Sequence, residues 1–335
     1  MSTPNREHVI EFYKGTDYHS IRSGTIYRPS ELHIPILLKR QEDVISEACK
    51  KSDGKKVIIP LTTEDCIELS PVVLHETLFH FYKAFYNYLA ARSLYFGGML
   101  HWIKITLYYS RFYFARSLTT LVGIQSYGVG GQDRFDIENW SFDERVSSAL
   151  ATKGKSVDWY RIKMDIDMPQ KQGQITFDRE KVNSHRDVWI TYKSLNLEEL
   201  AIYPIAYNVE DLREERNEEN YSFDGYFQLD FNLYMNSFKD YFERDYLKIG
   251  ANTLFDEESG NVLVALSSLY RLLKDLNVND LPIEKEKFTH MIKYCLPNSE
   301  TKDKLLMLCD EGFPTKTLNY DSGSEIWFDE VGRKL

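Results

Sequence analysis

Cysteine is scarce. The chain of 335 residues has four, Cys49, Cys66, Cys295 and Cys309, and no two form a Cys-x-x-Cys pair. Such spacing suggests neither a zinc knuckle nor a disulfide framework, so a reducing cytoplasm is the expected setting. A long uncharged apolar run is also missing. The most apolar region, "HWIKITLYYSRFYFARSLTTLVGI", carries Lys104, Arg111 and Arg116 one or two helical turns apart, which a bilayer span would not tolerate. The opening "MSTPNREHVI" has no apolar h-region behind a basic start, so no secretory signal is expected. Cations are outnumbered, 41 Lys and Arg against 51 Asp and Glu, giving a formal net charge of −10. Affinity for a phosphate backbone comes mainly from Lys and Arg displacing counterions, so this balance disfavours nonspecific binding to a polyanion and leaves only a local basic patch for that purpose. Glycine and proline number only 17 and 10, beside 23 Tyr and 19 Phe, and a composition so aromatic argues against disorder.

What is present is material for large cores. At roughly 100–200 residues per domain, a chain of this length should form two domains with room for an elaborated insertion. Residues 1–70 read as a mixed α/β extension, with short strands in "GTIYRP" and "KKVIIPLT" and a helix between them in "RQEDVISEACKKSDG". A long buried helix is expected from Pro71, at a helical N1 position, to the Gly97-Gly98 pair. The next runs from about 99 to 122 and stops at Gly123. Ile103, Leu107, Phe114, Leu118 and Leu121 recur on it at helical spacing, while Lys104, Arg111 and Ala115 fall elsewhere on the cylinder. A short glycine loop between two such helices predicts an antiparallel hairpin.

At about 126–178 the pattern predicts a small β insertion. In "DWYRIKMDIDM", Tyr160, Ile162, Met164, Ile166 and Met168 alternate with Arg161, Lys163, Asp165 and Asp167, and "QITF" supplies a hairpin partner. Helical spacing resumes in "REKVNSHRDVWITYKSLN", with Val182, His185, Trp189 and Tyr192 on one face, and again in "AYNVEDLREERNEENYS". Residues 224–335 read as a mostly helical C-terminal domain: a strand in "YFQLDFN", then helices near 235–249, 261–276, 283–296 and 300–311. The fold class expected is therefore mainly α.

Several motifs are better explained plainly. "ATKGKS" ends like a phosphate loop, but Ala149 stands where its first glycine belongs and a strand pattern follows Ser156. "HETLFH" spaces His75 and His80 five apart, whereas a zincin needs four to bring both imidazoles to one face. Asp165 and Asp167 share a strand face with Arg161 and Lys163, which reads as a solvated, charge-alternating surface. No Gly-x-Ser-x-Gly nucleophile elbow is present. These readings lead to an expectation of no metal and no cofactor.

A constellation spread over three helices is more specific: the aromatic helix "YYSRFYFARSLTTLVGI", a helix with a histidine near its start in "NSHRDVW", and a helix ending in "LREERNEENY". In this order, over roughly 71–223, the chain resembles the HEPN superfamily of helical bundles, many of them RNases of bacterial toxin–antitoxin and antiphage systems. The resemblance implies a HEPN-like bundle interrupted by the β insertion, and a homodimer. It also implies an RNA-directed function, as a metal-independent endoribonuclease or a noncatalytic RNA-binding partner. The family's catalytic pattern is Arg, four to six residues, then His; here Arg216 is followed after four residues by Tyr221, as in a subset that lacks the usual motif.

Metal-independent RNA cleavage needs a base for the 2′-hydroxyl, an acid for the leaving oxygen and a cation for the transferring phosphate. Arg216 would supply the cation, and Tyr221, with a reference pKa of about 10, would need a strong shift to act as base at neutral pH. Arg179 and His185, five residues between them, match the catalytic spacing literally. Arg213, Asn217 and Arg186 complete the candidate set as RNA-binding residues. The plainer readings are a core histidine at 185 and a buried or helix-end arginine at 216 paired with Glu219 or another acidic side chain. The competing function is a noncatalytic dimerisation or docking scaffold that recognises a protein partner.

Overall fold

The computed structural model describes residues 4–18, 56–97, 99–129, 160–178, 184–205, 262–278, 281, 285–295, 319–321 and 326–328. Over these the protein is mainly helical, with a small antiparallel four-stranded sheet. The parts expected in "GTIYRP", "RQEDVISEACKKSDG" and "YFQLDFN", the helices near 235–249 and 300–311, and the bundle helix ending in "LREERNEENY" lie outside the described residues.

Helix α1 (Arg6–Tyr13) opens with a reciprocal cap: the His8 amide donates to Asn5 Oδ1 at 2.9 Å and the Asn5 amide to His8 Nδ1 at 3.3 Å. Strand β1 (Lys56–Leu61) leads into α2 (Thr63–Phe96), followed by α3 (Leu100–Leu121). Contrary to the sequence expectation, α2 begins at Thr63, with Pro71 inside it. Two local interactions permit this. Thr62 and Asp65 form a cap, with the Asp65 amide donating to Thr62 Oγ1 at 3.2 Å and the Thr62 amide to Asp65 Oδ2 at 2.9 Å. Proline removes the N–H that would reach the Ile67 carbonyl one turn back, and the Ser70 hydroxyl donates to that carbonyl instead, at 2.8 Å.

Helices α2 and α3 run antiparallel. The Ser117 hydroxyl donates to the Thr77 carbonyl at 2.8 Å, and the Ser110 hydroxyl to the Ala84 carbonyl at 2.7 Å. Small hydroxyl side chains let the two backbones approach closely while satisfying their own polar atoms. Ile103, Leu107, Phe114, Leu118 and Leu121 are buried, as their spacing predicts. Ala115 and Arg111, placed off the apolar face by that same spacing, are buried as well. Helix α3 packs on more than one side, so its polar positions are not all solvated.

The sheet consists of β1, β2 (Ile124–Val129), β3 (Tyr160–Asp167) and β4 (Gln172–Asp178), in the order β1-β4-β3-β2. The expected β3–β4 hairpin is present, with Met164 opposite Ile175. The insertion is not a separate hairpin, however: β1 pairs antiparallel with β4, Lys56 opposite Asp178, so the N-terminal segment supplies an edge of the sheet. Ile59, Met164, Ile166 and Ile175 are buried. On the other face Lys163 meets Asp165 at 3.3 Å, in line with the charge-alternating surface expected there. Gly123, with φ +83°, turns the chain from α3 into β2; a Cβ there would stand 2.8 Å from the Ile166 Cβ.

Two compact units divide the chain. The first gathers Met1–Phe79, Ala115–Leu195 and Val278–Asp280; the second, His80–Phe114, Asn196–Asn277 and Leu281–Leu335. Within the first, α4 (Ser184–Lys193) lies against β2 and buries Val188, Trp189 and Tyr192. Within the second, α5 (Val262–Asp275) and α6 (Lys285–Cys295) join an aromatic core in which Phe288 meets Phe85, Tyr270 and Tyr82 at ring separations of 5.2, 5.3 and 5.4 Å. Strands β5 (Asn319–Asp321) and β6 (Ile326–Phe328) form a two-stranded ladder. No helix among the described residues is long and apolar enough to cross a membrane.

Candidate functional site

Two of the seven sequence candidates, His185 and Arg186, fall within the described residues. Both sit in the first turn of α4, His185 half-buried and Arg186 exposed. Below them Trp189 and Tyr192 pack edge to face, ring centroids 5.9 Å apart, which fixes the helix by its apolar side and turns its start towards solvent. Arg179, Arg213, Arg216, Asn217 and Tyr221 lie outside the described residues.

The same first turn carries Asp187, which with Val188 and Thr191 forms one wall of a small polar pocket in the first unit. Its other walls are Glu76 of α2, Arg116, Thr119 and Thr120 of α3, and Ile124, Gln125 and Ser126 of β2. Gln125 is buried, and neither atom of its carboxamide meets a hydrogen-bond partner. About 10 Å³ is open to the centre of a water molecule, room for roughly one water. A nucleotide or a drug-sized molecule does not fit that space.

Charge is distributed unevenly along the chain, and this is the signal that motif reading passes over. Between Glu76 and Asp133 the sequence has no acidic residue at all, while it carries Lys83, Arg92, Lys104, Arg111 and Arg116. The stretch covers most of the α2–α3 pair. Lys83 is exposed, Lys104 and Arg116 are half-buried, and Arg92 and Arg111 are buried. In the second unit, Lys83 Nζ stands 4.2 Å from the centroid of the Tyr113 ring, and the His80 imidazole stacks on that ring at 6.0 Å. Arg92 Nη1 donates to the Tyr88 hydroxyl at 2.7 Å. The Arg111 Nε is buried without a hydrogen-bond partner, and no carboxylate among the described residues pairs with this guanidinium.

The remaining candidate chemistry is quiet. Burial, reinforced by Asp65, pushes the Cys66 thiol up to about 12, so it stays protonated and unreactive near neutrality. His75 stacks on Tyr18 at 4.0 Å and hydrogen-bonds its carbonyl at 3.1 Å, while His80 is buried, so the two histidines of "HETLFH" have separate packing roles. No group of three or more His, Cys, Asp and Glu side chains among the described residues is arranged to hold a metal ion. Comparison with family models, with curated proteins and with solved structures gives no match.

Proposed function

We propose that the protein is RNA-directed, a HEPN-like bundle acting as a cytoplasmic homodimer in a bacterial stress or antiphage response. The observation that carries this reading is the acid-free, cation-bearing stretch from 77 to 132 in a chain whose net charge is −10. The stretch holds five of the 41 Lys and Arg and none of the 51 Asp and Glu, so its local charge is positive, the sign that attracts polyphosphate. His185 and Arg186, at the solvated start of α4, add an imidazole and a guanidinium within a single turn.

In this reading Lys83 and Lys104, the exposed and half-buried cations of the stretch in the second unit, bind the RNA backbone, and Arg216 supplies the charge that cleavage requires. Fluorescence anisotropy with a short single-stranded RNA, at two salt concentrations, tests it. Binding should weaken as salt rises, with a slope of about 0.7 per phosphate neutralised. Cleavage, where present, should survive EDTA and vanish in Arg216→Ala. Absence of RNA binding at low salt overturns the proposal in favour of a docking scaffold.

A further inference from the structure

Four elements of the first unit bring polar side chains to one small space. Glu76 comes from α2, Arg116 and Thr120 from α3, Gln125 from β2 and Asp187 from α4. Gln125 sets what the space must offer. It keeps only 5% of its exposure, and neither its Oε1 nor its Nε2 meets a hydrogen-bond partner. A carboxamide buried in that way costs free energy unless something beside it answers its polar atoms. Its neighbour across the ladder cannot, because Gln125 stands opposite Met164 of β3, a buried apolar side chain.

Size and charge select the occupant. The space admits about one water molecule, which excludes a hydrated ion or a metabolite and suits a bare potassium or ammonium ion. Two carboxylates, Glu76 and Asp187, face one guanidinium, Arg116, across the wall, so one negative charge is left over. Glu76 is buried. Both carboxylates make other interactions as well, but a carboxylate has about four lone-pair sites and serves several partners at once. A single surplus charge matches a monovalent cation. Calcium calls for about six to eight oxygens, and magnesium keeps several waters for which there is no room. Soft metals call for Cys or His, and the wall has neither.

We propose that this pocket is a binding position for a bare monovalent cation, potassium or ammonium, held by the Gln125 carboxamide oxygen and the carboxylates of Glu76 and Asp187. Such an ion ties the first turn of α4, which carries His185 and Arg186, to α2 and β2. Its binding is independent of RNA.

Thermal melting of the full chain tests the position, with potassium or ammonium chloride titrated in at an ionic strength held constant by tetramethylammonium chloride, whose cation is too large for the space. Wild type, Gln125→Met and Asp187→Asn are compared. The wild-type midpoint should rise by a few degrees along a saturating curve. The concentration giving half the shift should increase at least about tenfold in Gln125→Met, which keeps the side-chain length and removes the ligand oxygen. Should that variant fail to fold, Asp187→Asn decides, since it keeps the shape, removes a charge and should show the same loss. A shift with potassium alone assigns the position to an alkali ion, and one with ammonium alone to an ammonium group. A midpoint indifferent to the cation, a shift that never saturates, or one equal in all three proteins overturns the proposal: the space then holds a water bonded to Gln125.

Discussion

The Tyr13 hydroxyl donates to the carbonyl of Leu121, at the end of α3, at 2.8 Å, and the ring is wholly buried. Burial raises its pKa well above 10, as it raises Tyr18 and Cys66, each to about 12. The folded state therefore holds protons that the unfolded chain releases between about pH 9 and 12. These groups contribute their full stability below that window and lose it as pH rises through it. Urea unfolding should show a steady midpoint from about pH 7 to 8 and a falling one above about pH 9. Tyr13→Phe should cost about 1 kcal/mol at neutral pH, by removing one hydrogen bond from a buried carbonyl, and should soften the alkaline decline. An alkaline slope in Tyr13→Phe as steep as in wild type would leave Tyr18 and Cys66 as its source.

Among the elements, the α3–β2 junction is tightly constrained. Gly123 combines a left-handed φ with a Cβ position that Ile166 already occupies. Gly123→Ala should lower the unfolding free energy by about 1–3 kcal/mol, measured by denaturant titration, because backbone strain and overpacking act together. The end of α3 was legible in the sequence, because its apolar period runs out at a glycine; β2 was not, because "SYGVGGQD" reads as a glycine-rich loop and period two becomes visible only in "DWYRIKMDIDM". The start of α2 was not, because Pro71 is the stronger local signal, and only the contact between Ser70 and the Ile67 carbonyl shows how the helix passes through it. The pairing of β1 with β4 was also out of reach, since alternation reveals that a strand exists and is silent on its partner. Arg111 was misplaced for a related reason: a one-face helical pattern assumes one packed side, and α3 is packed on several. The absence of acid from 77 to 132 could have been read directly, but it is a property of a long window that short motifs do not sample.

At the scale of the molecule, the HEPN-like reading carries an expectation of two-fold self-association, the commonest form of oligomer. Light scattering at micromolar concentration should report about twice the 39.4 kDa of one chain. A monomer at every concentration tested would remove the dimer from the proposal and leave the cations of one chain to bind RNA alone. The sheet has a consequence for synthesis. Lys56 pairs with Asp178, so β1 emerges from the ribosome long before its partner and waits through the translation of both long helices. The helix pair, whose contacts are closer in sequence, has the opportunity to form first, and an unpaired strand edge persists on the nascent chain until β4 arrives. Chaperone engagement should accordingly be concentrated on nascent chains shorter than about 178 residues plus the length held in the exit tunnel.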